Sequence, residues 1–187
     1  MYTLFIDTHL WDILIYLLKD GKIVDKECVI NKKINSEYIF SCIVKVIDGI
    51  KLDEILVVSG PGSFTGVRLG VTIAKTLAYI LSIPIKTVTA LECMAISNNV
   101  YKVAFSDSNG YYVGNFDESF NLIEDYSYLK DQDFVNLNTN NAYLTEYNID
   151  VEKIFTFLKN RKSINPHQVK PIYIKKIGVE IDKSSKQ

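Results

Sequence analysis

The segment that most limits what this chain can become is the apolar run Ile55-Leu56-Val57-Val58-Ser59. It passes without a linker into Gly60-Pro61-Gly62-Ser63-Phe64-Thr65-Gly66, and then into a helical pattern ending near Leu81. An unbroken apolar run is what a strand buried on both faces requires. Glycines directly after it let the backbone visit positive φ and turn sharply into a helix. Strand, tight turn and helix are the parts of a sheet covered by helices, so the fold class is α/β. Thr65 is the expected N-cap of the helix. A turn of this kind can also receive an anion at the positive helix end. It is not a Walker A loop, because Gly62 and Gly66 are too close and no Gly-Lys-Ser/Thr follows. A structural turn and a phosphate-binding turn both stay open for Gly60, Pro61, Gly62, Ser63, Phe64 and Thr65.

The helix carries a second signal. Gly66, Gly70, Ala74 and Ala78 recur every four residues, and side chains four apart stack along one stripe. Glycine inside a helix costs about 0.8–1.0 kcal/mol relative to alanine, so two of them call for a close packing partner. That partner is either the chain's own sheet or an external helix. A neighbouring stripe of Val67, Val71, Leu77 and Leu81 offers an internal core face and would leave the small stripe outward. An earlier helix, capped at Ser36 and running to about Gly49, has Ile39, Ile43, Val46, Ile47 and Ile50 on one face. Tyr38, Phe40 and Val44 lie off that face. A helix apolar on more than one side is buried deeply or meets a second protein.

Tyr2 to Asp7, Asp12 to Leu18 and Ile23 to Ile30 read as three antiparallel strands, with Lys19-Asp20-Gly21-Lys22 as a turn. In the second half, Val100–Phe105 and Gly110–Phe116 read as paired strands. Asp150 caps a helix whose face is Val151, Ile154, Phe155 and Leu158.

Composition excludes several functions. The 21 cations and 22 anions leave a net charge of −1, which argues against a surface that grips nucleic acid by itself. Cys28, Cys42 and Cys93 are odd in number and far apart, as expected of reduced thiols in a cytoplasmic protein. His9 and His167 are the only histidines, so a protein-built metal site is not expected. No signal peptide and no membrane-spanning run of about 18 apolar residues is read.

Ser59 to Ile85, SGPGSFTGVRLGVTIAKTLAYILSIPI, closely resembles the signature of the TsaB (YeaZ) family. These bacterial proteins are needed to make threonylcarbamoyladenosine in transfer RNA. FIDTH near the start matches the family's Ile-Asp-Thr strand end. Asn35-Ser36-Glu37 matches its His-Ser-Glu, with Asn in place of His. Asp107 to Tyr112 resembles a degraded Asp-Ala-Arg-x-Gly-Glu-Val-Tyr. Pro171-Ile172-Tyr173-Ile174 matches Pro-x-Tyr-Leu, with Lys175 where Arg is usual. The likeness is strong over residues 1–90 and thin over 115–165.

The resemblance implies an actin-like, acetate-kinase-type fold of two lobes, each a mixed sheet flanked by helices. The lobes are expected at 1–98 and 99–187, the second trimmed and ending in a lysine-bearing tail. It further implies a non-catalytic scaffold that pairs with a TsaD-like transferase and is joined by a TsaE-like ATPase. A homodimer through the same helices is a second use of that surface, and tRNA would be held through the complex. The expected interface is Ser36, Glu37, Tyr38, Phe40, Ser41 and Val44 on the first helix, and Gly66, Val67, Arg68, Gly70, Val71, Ala74 and Ala78 on the second. Asp7 and Thr8 mark a vestigial nucleotide site, because His9 stands where the fold's phosphate turn needs glycine. No catalytic residue, metal or cofactor is expected. The alternative is a nucleotide-binding small-molecule kinase of the same fold.

Overall fold

A computed structural model describes residues 1–10, 12–30 and 35–175; Trp11 and the lysine-bearing tail lie outside the described residues. Strands β1 (Tyr2–Asp7), β2 (Ile13–Lys19) and β3 (Lys22–Val29) form the expected antiparallel meander. Helix α1 (Ser36–Ile47) follows, then β4 (Glu54–Val58), α2 (Phe64–Leu81) and β5 (Ile85–Val88). β4 and β5 run parallel to β1, giving one mixed sheet in the order β3-β2-β1-β4-β5.

Both faces of this sheet are covered at its centre, which is why β1 and β4 lack polar alternation. Leu4, Ile6, Ile55 and Val57 point into a core shared with Ile39, Ile43, Val46, Val67, Val71 and Ala74 of α1 and α2. Phe5, Leu56 and Val58 point the opposite way, against α3 (Ala90–Asn98) and α5 (Val151–Leu158). That second core also takes in Val103, Phe105 and Tyr112 from a smaller sheet, β6 (Lys102–Asp107), β7 (Gly110–Asn115) and β8 (Ser127–Lys130). The three strands of the smaller sheet pair antiparallel, and Leu144 adds an isolated parallel bridge to Val103 at the β6 edge. Its outer face carries α4 (Asp131–Leu137), through Phe134 against Ala104 and Val113.

Caps differ from expectation by one and two residues. Asn35, not Ser36, caps α1, its side chain accepting from the Tyr38 N–H at 2.9 Å. Ser63, not Thr65, caps α2, its hydroxyl accepting from the Gly66 N–H at 3.3 Å. In both cases the chain enters helical geometry earlier than the apolar pattern suggests, and the residue before the turn takes the cap. Thr89 and Glu92 form a full capping box on α3.

From Ile164 the chain is back on the first sheet. Ile164 bridges to Ile85, a 3-10 turn follows at Pro166–Gln168, Val169 enters the α1–α2 core, and the Ile172 N–H donates to the Ser59 carbonyl at 2.7 Å.

Candidate functional site

β1 ends in Asp7-Thr8-His9, at the seam between the two sheets. Asp7 is buried. Its Oδ1 accepts the His9 N–H at 3.1 Å and lies 2.6 Å from His9 Nδ1, and its Oδ2 accepts the Tyr147 hydroxyl at 2.8 Å. Burial raises the Asp7 pKa, but His9 and the Tyr147 hydroxyl outweigh it and hold the carboxyl below its ordinary 3.8. The same burial, with Asp7 beside it, pushes the Tyr147 phenol up. The His9 ring packs 5.2 Å from Phe105 and 4.4 Å from Tyr147. Among the described residues none offers His9 Nε2 a hydrogen bond. Both Asp7 oxygens are thus engaged by the chain itself, and an imidazole fills the place where a phosphate turn needs bare backbone.

The glycine-rich turn is clamped onto this strand end. The Ser63 N–H donates to the His9 carbonyl at 2.7 Å. Gly62 has φ +153°, and a Cβ there would collide with that carbonyl, so only glycine fits. Thr8 donates to the Gly66 carbonyl at 2.7 Å. A Cβ on Gly70 would collide with Thr8 Oγ1, which is why a helix-destabilising glycine stands mid-helix. The turn therefore plays a structural part, seating α2 on the end of β1.

Three segments remote in sequence meet at a cleft of about 750 Å³: the turn at Pro61–Phe64, the β6–β7 corner at Asp107, and Ile172–Lys175. Asp107 Oδ1 accepts from the Tyr128 hydroxyl at 2.6 Å, and its Oδ2 accepts from Lys175 Nζ at 3.1 Å. Partial burial raises the Asp107 pKa, but Tyr128, the Asn109 N–H and Lys175 together bring it below its ordinary value. Tyr173 leans on Phe64 with ring centroids 5.1 Å apart. Asp107 and Tyr173–Lys175 belong to the segments that the sequence resemblance picks out. Tyr147 carries no sequence signal, lying in an irregular stretch between α4 and α5.

The small-residue stripe does not face outward. Gly66, Gly70, Ala74 and Ala78 are buried against the chain's own core, as are Val67 and Val71. The expected use of these six as an outward surface does not agree with their burial in the chain's own core, and Thr8, just past β1, is the close packing partner that Gly70 accommodates. Leu77 is only partly buried and Leu81 is exposed, so the core stripe is narrower than expected. By contrast Ser36, Glu37, Tyr38, Phe40, Ser41, Val44 and Arg68 are all exposed. Phe40 is 52% exposed and Val44 49%, on the side of α1 turned away from the sheet. α2, at 18 residues, is long and apolar enough by length and composition to cross a membrane, contrary to the sequence reading. Here it is the helix that covers the sheet.

The fold is a mixed α/β arrangement, with a sheet flanked by helices. It matches two solved structures from Pseudomonas aeruginosa. One is described as YeaZ (TM-score 0.71, 16% identity, 92% of this chain and 99% of that chain). The other is described as an uncharacterized protein with similarity to peptidase YEAZ (TM-score 0.71, 15% identity, 93% and 99%). At the sequence level, residues 44–106 match the family TsaD, tRNA N6-adenosine threonylcarbamoyltransferase. A 100-residue stretch is 38% identical to the tRNA threonylcarbamoyladenosine biosynthesis protein TsaB of Bacillus subtilis, covering 51% of this chain and 44% of that relative. The aligned stretch thus spans less than half the length of that relative. In sequence this chain is similar to TsaB over about half its length and to the TsaD family over residues 44–106, and in fold it is similar to YeaZ.

Proposed function

We propose that this protein is a non-catalytic subunit in the formation of threonylcarbamoyladenosine in tRNA, and that it works by pairing with a TsaD-type transferase. The observation that carries the reading is the outward apolar side of α1, where Phe40 and Val44, four apart on one stripe, are each about half exposed. That face ends inside the segment of similarity to TsaD, which begins at residue 44. The partly exposed flank of α2 that adjoins α1 extends it, through Thr65, Leu69, Ile73 and Ile80. Two helices from each protomer would then pack as a four-helix bundle. The same face can pair two copies isologously when the transferase is missing. A TsaE-type ATPase would join this pair, and the assembly would work in the cytoplasm.

The reading as a subunit without its own chemistry is supported by the β1 end. Asp7 is spent on His9 and Tyr147, and His9 fills the seam. A nucleotide-binding kinase of the same fold is the competing reading, and the cleft near Asp107 is where it would have to act.

Co-expression with a TsaD-type subunit tests the pairing. A stoichiometric complex is expected, and Phe40→Glu with Val44→Glu should abolish it while leaving the monomer folded. Calorimetry with ATP and magnesium tests the competitor: tight binding followed by turnover would replace the subunit reading with the kinase.

A further inference from the structure

Net charge hides a strong segregation of charge along this chain. Residues 55–91 contain no carboxylate, and neither do residues 153–175; the two stretches together carry nine lysines and arginines. Of these, Lys86, Arg161 and Lys175 pair with Glu54, Glu92 and Asp107, while Arg68, Lys75 and Lys170 come together where residues 166–173 pack on α2. Lys75 of α2 donates from Nζ to the carbonyls of Val169 and His167, at 3.1 and 3.4 Å, and Tyr79 meets His167 edge-on at 4.9 Å. A groove of about 370 Å³ runs between them, lined by Phe64, Arg68, Lys75, Lys170 and Tyr173 among others, with no acidic residue in its wall. Arg68 and Lys170 are exposed. Arg68 lies 5.8 Å from the Phe64 ring centroid, and the Phe64 and Tyr173 rings, each nearly half exposed, lean together.

We propose that this groove contacts an RNA strand. A single strand is held by cations that track its phosphates and by aromatic faces on which bases stack. The exposed Arg68 and Lys170 supply the first, with Lys75 adding charge from its place on the Val169 and His167 carbonyls, and Tyr173 with Phe64 the second. An acidic protein segment would use the cations and leave the rings idle, so the exposed ring pair favours RNA. The inference goes beyond the pairing reading and does not need it. The groove lies on the flank of α2 facing residues 166–173, opposite the flank that faces α1. A protein near neutrality can still bind a polyanion locally, because screening limits each charge to a radius of about 10 Å at 0.1 M salt.

The test is fluorescence anisotropy of the full chain with a labelled oligoribonucleotide of about ten nucleotides, over salt from about 50 mM upward. Affinity should fall steeply with salt. Arg68→Glu with Lys170→Glu should weaken binding at least about tenfold. Tyr173→Ala should weaken it severalfold without changing the salt slope. Lys26→Glu with Lys130→Glu, outside the groove, should leave it intact. Circular dichroism checks that each variant is folded. The proposal fails if no binding is seen at low salt or if the Arg68/Lys170 variant binds like the parent. It also fails if polyglutamate competes as well as RNA while Tyr173→Ala has no effect, which would assign the groove to an acidic protein segment.

Discussion

The Tyr147 hydroxyl donates to Asp7 Oδ2 at 2.8 Å across 140 positions of chain. This bond ties the end of the first strand to a segment that follows the second sheet, inside a seam otherwise filled by rings. Tyr147→Phe removes the donor and leaves a buried carboxylate oxygen without it. The expected loss is about 1–3 kcal/mol, read from urea unfolding. An unchanged midpoint would mean that the bond is not made in solution.

The same carboxylate sets a pH dependence. Its pKa is below the unfolded value near 3.8, so in acid the unfolded chain binds the proton first. Stability from this group is therefore complete above the unfolded pKa and drains away as pH falls through the folded one. Between about pH 5 and pH 3 the parent should lose stability more steeply than Asp7→Asn. Parallel curves would show that Asp7 is not depressed.

Gly70 and Thr8 form a tight contact whose energetics are separable. Gly70→Ala forces a methyl group into Thr8 Oγ1 and should cost about 1–3 kcal/mol. Thr8→Ala removes the donor to the Gly66 carbonyl and should cost about 1 kcal/mol. Because the second change vacates the space the first one needs, the double variant should be less destabilised than the sum, with a coupling of about 0.5–3 kcal/mol. Additivity would contradict the contact.

Lys86 and Glu54 pair at 2.8 Å with both side chains about 90% covered, and Lys86 also reaches the Lys159 carbonyl at 3.0 Å. Lys86→Met leaves a buried carboxylate alone and should cost about 3–5 kcal/mol. Adding Glu54→Leu should restore much of it, since two apolar side chains of similar volume replace a desolvated pair. A double variant no better than the single one would place the cost in packing.

The first sheet was legible because its signals are local. Apolar runs mark β1 and β4, a turn signal joins β2 to β3, and glycines follow β4 directly. The outward direction of the small-residue stripe was not legible. Periodicity shows that Gly66, Gly70, Ala74 and Ala78 share a face, but not what lies opposite, and here that is Thr8 at the glycines and the sheet's apolar core at the alanines. α3 escapes the periodicity although Thr89-Ala90-Leu91-Glu92 carries a capping box, because its all-round burial erases the amphipathic pattern. The seam at Asp7, His9 and Tyr147 was half visible: His9 stood out as the wrong residue for a phosphate turn, while Tyr147 sits in a stretch without periodicity. The segregation of carboxylates was in plain view along the sequence, yet only the packing of residues 164–173 on α2 makes it a surface.

Ile172 hydrogen-bonds Ser59, and Ile164 joins β5 at its edge. During synthesis the amino-terminal half must therefore wait for more than a hundred later residues before its last backbone groups are satisfied. A nascent chain halted at about residue 150 would carry an unfinished sheet margin, open to other chains. Severing the polypeptide between the two sheets would likewise strand part of the first half's own scaffolding on the wrong fragment.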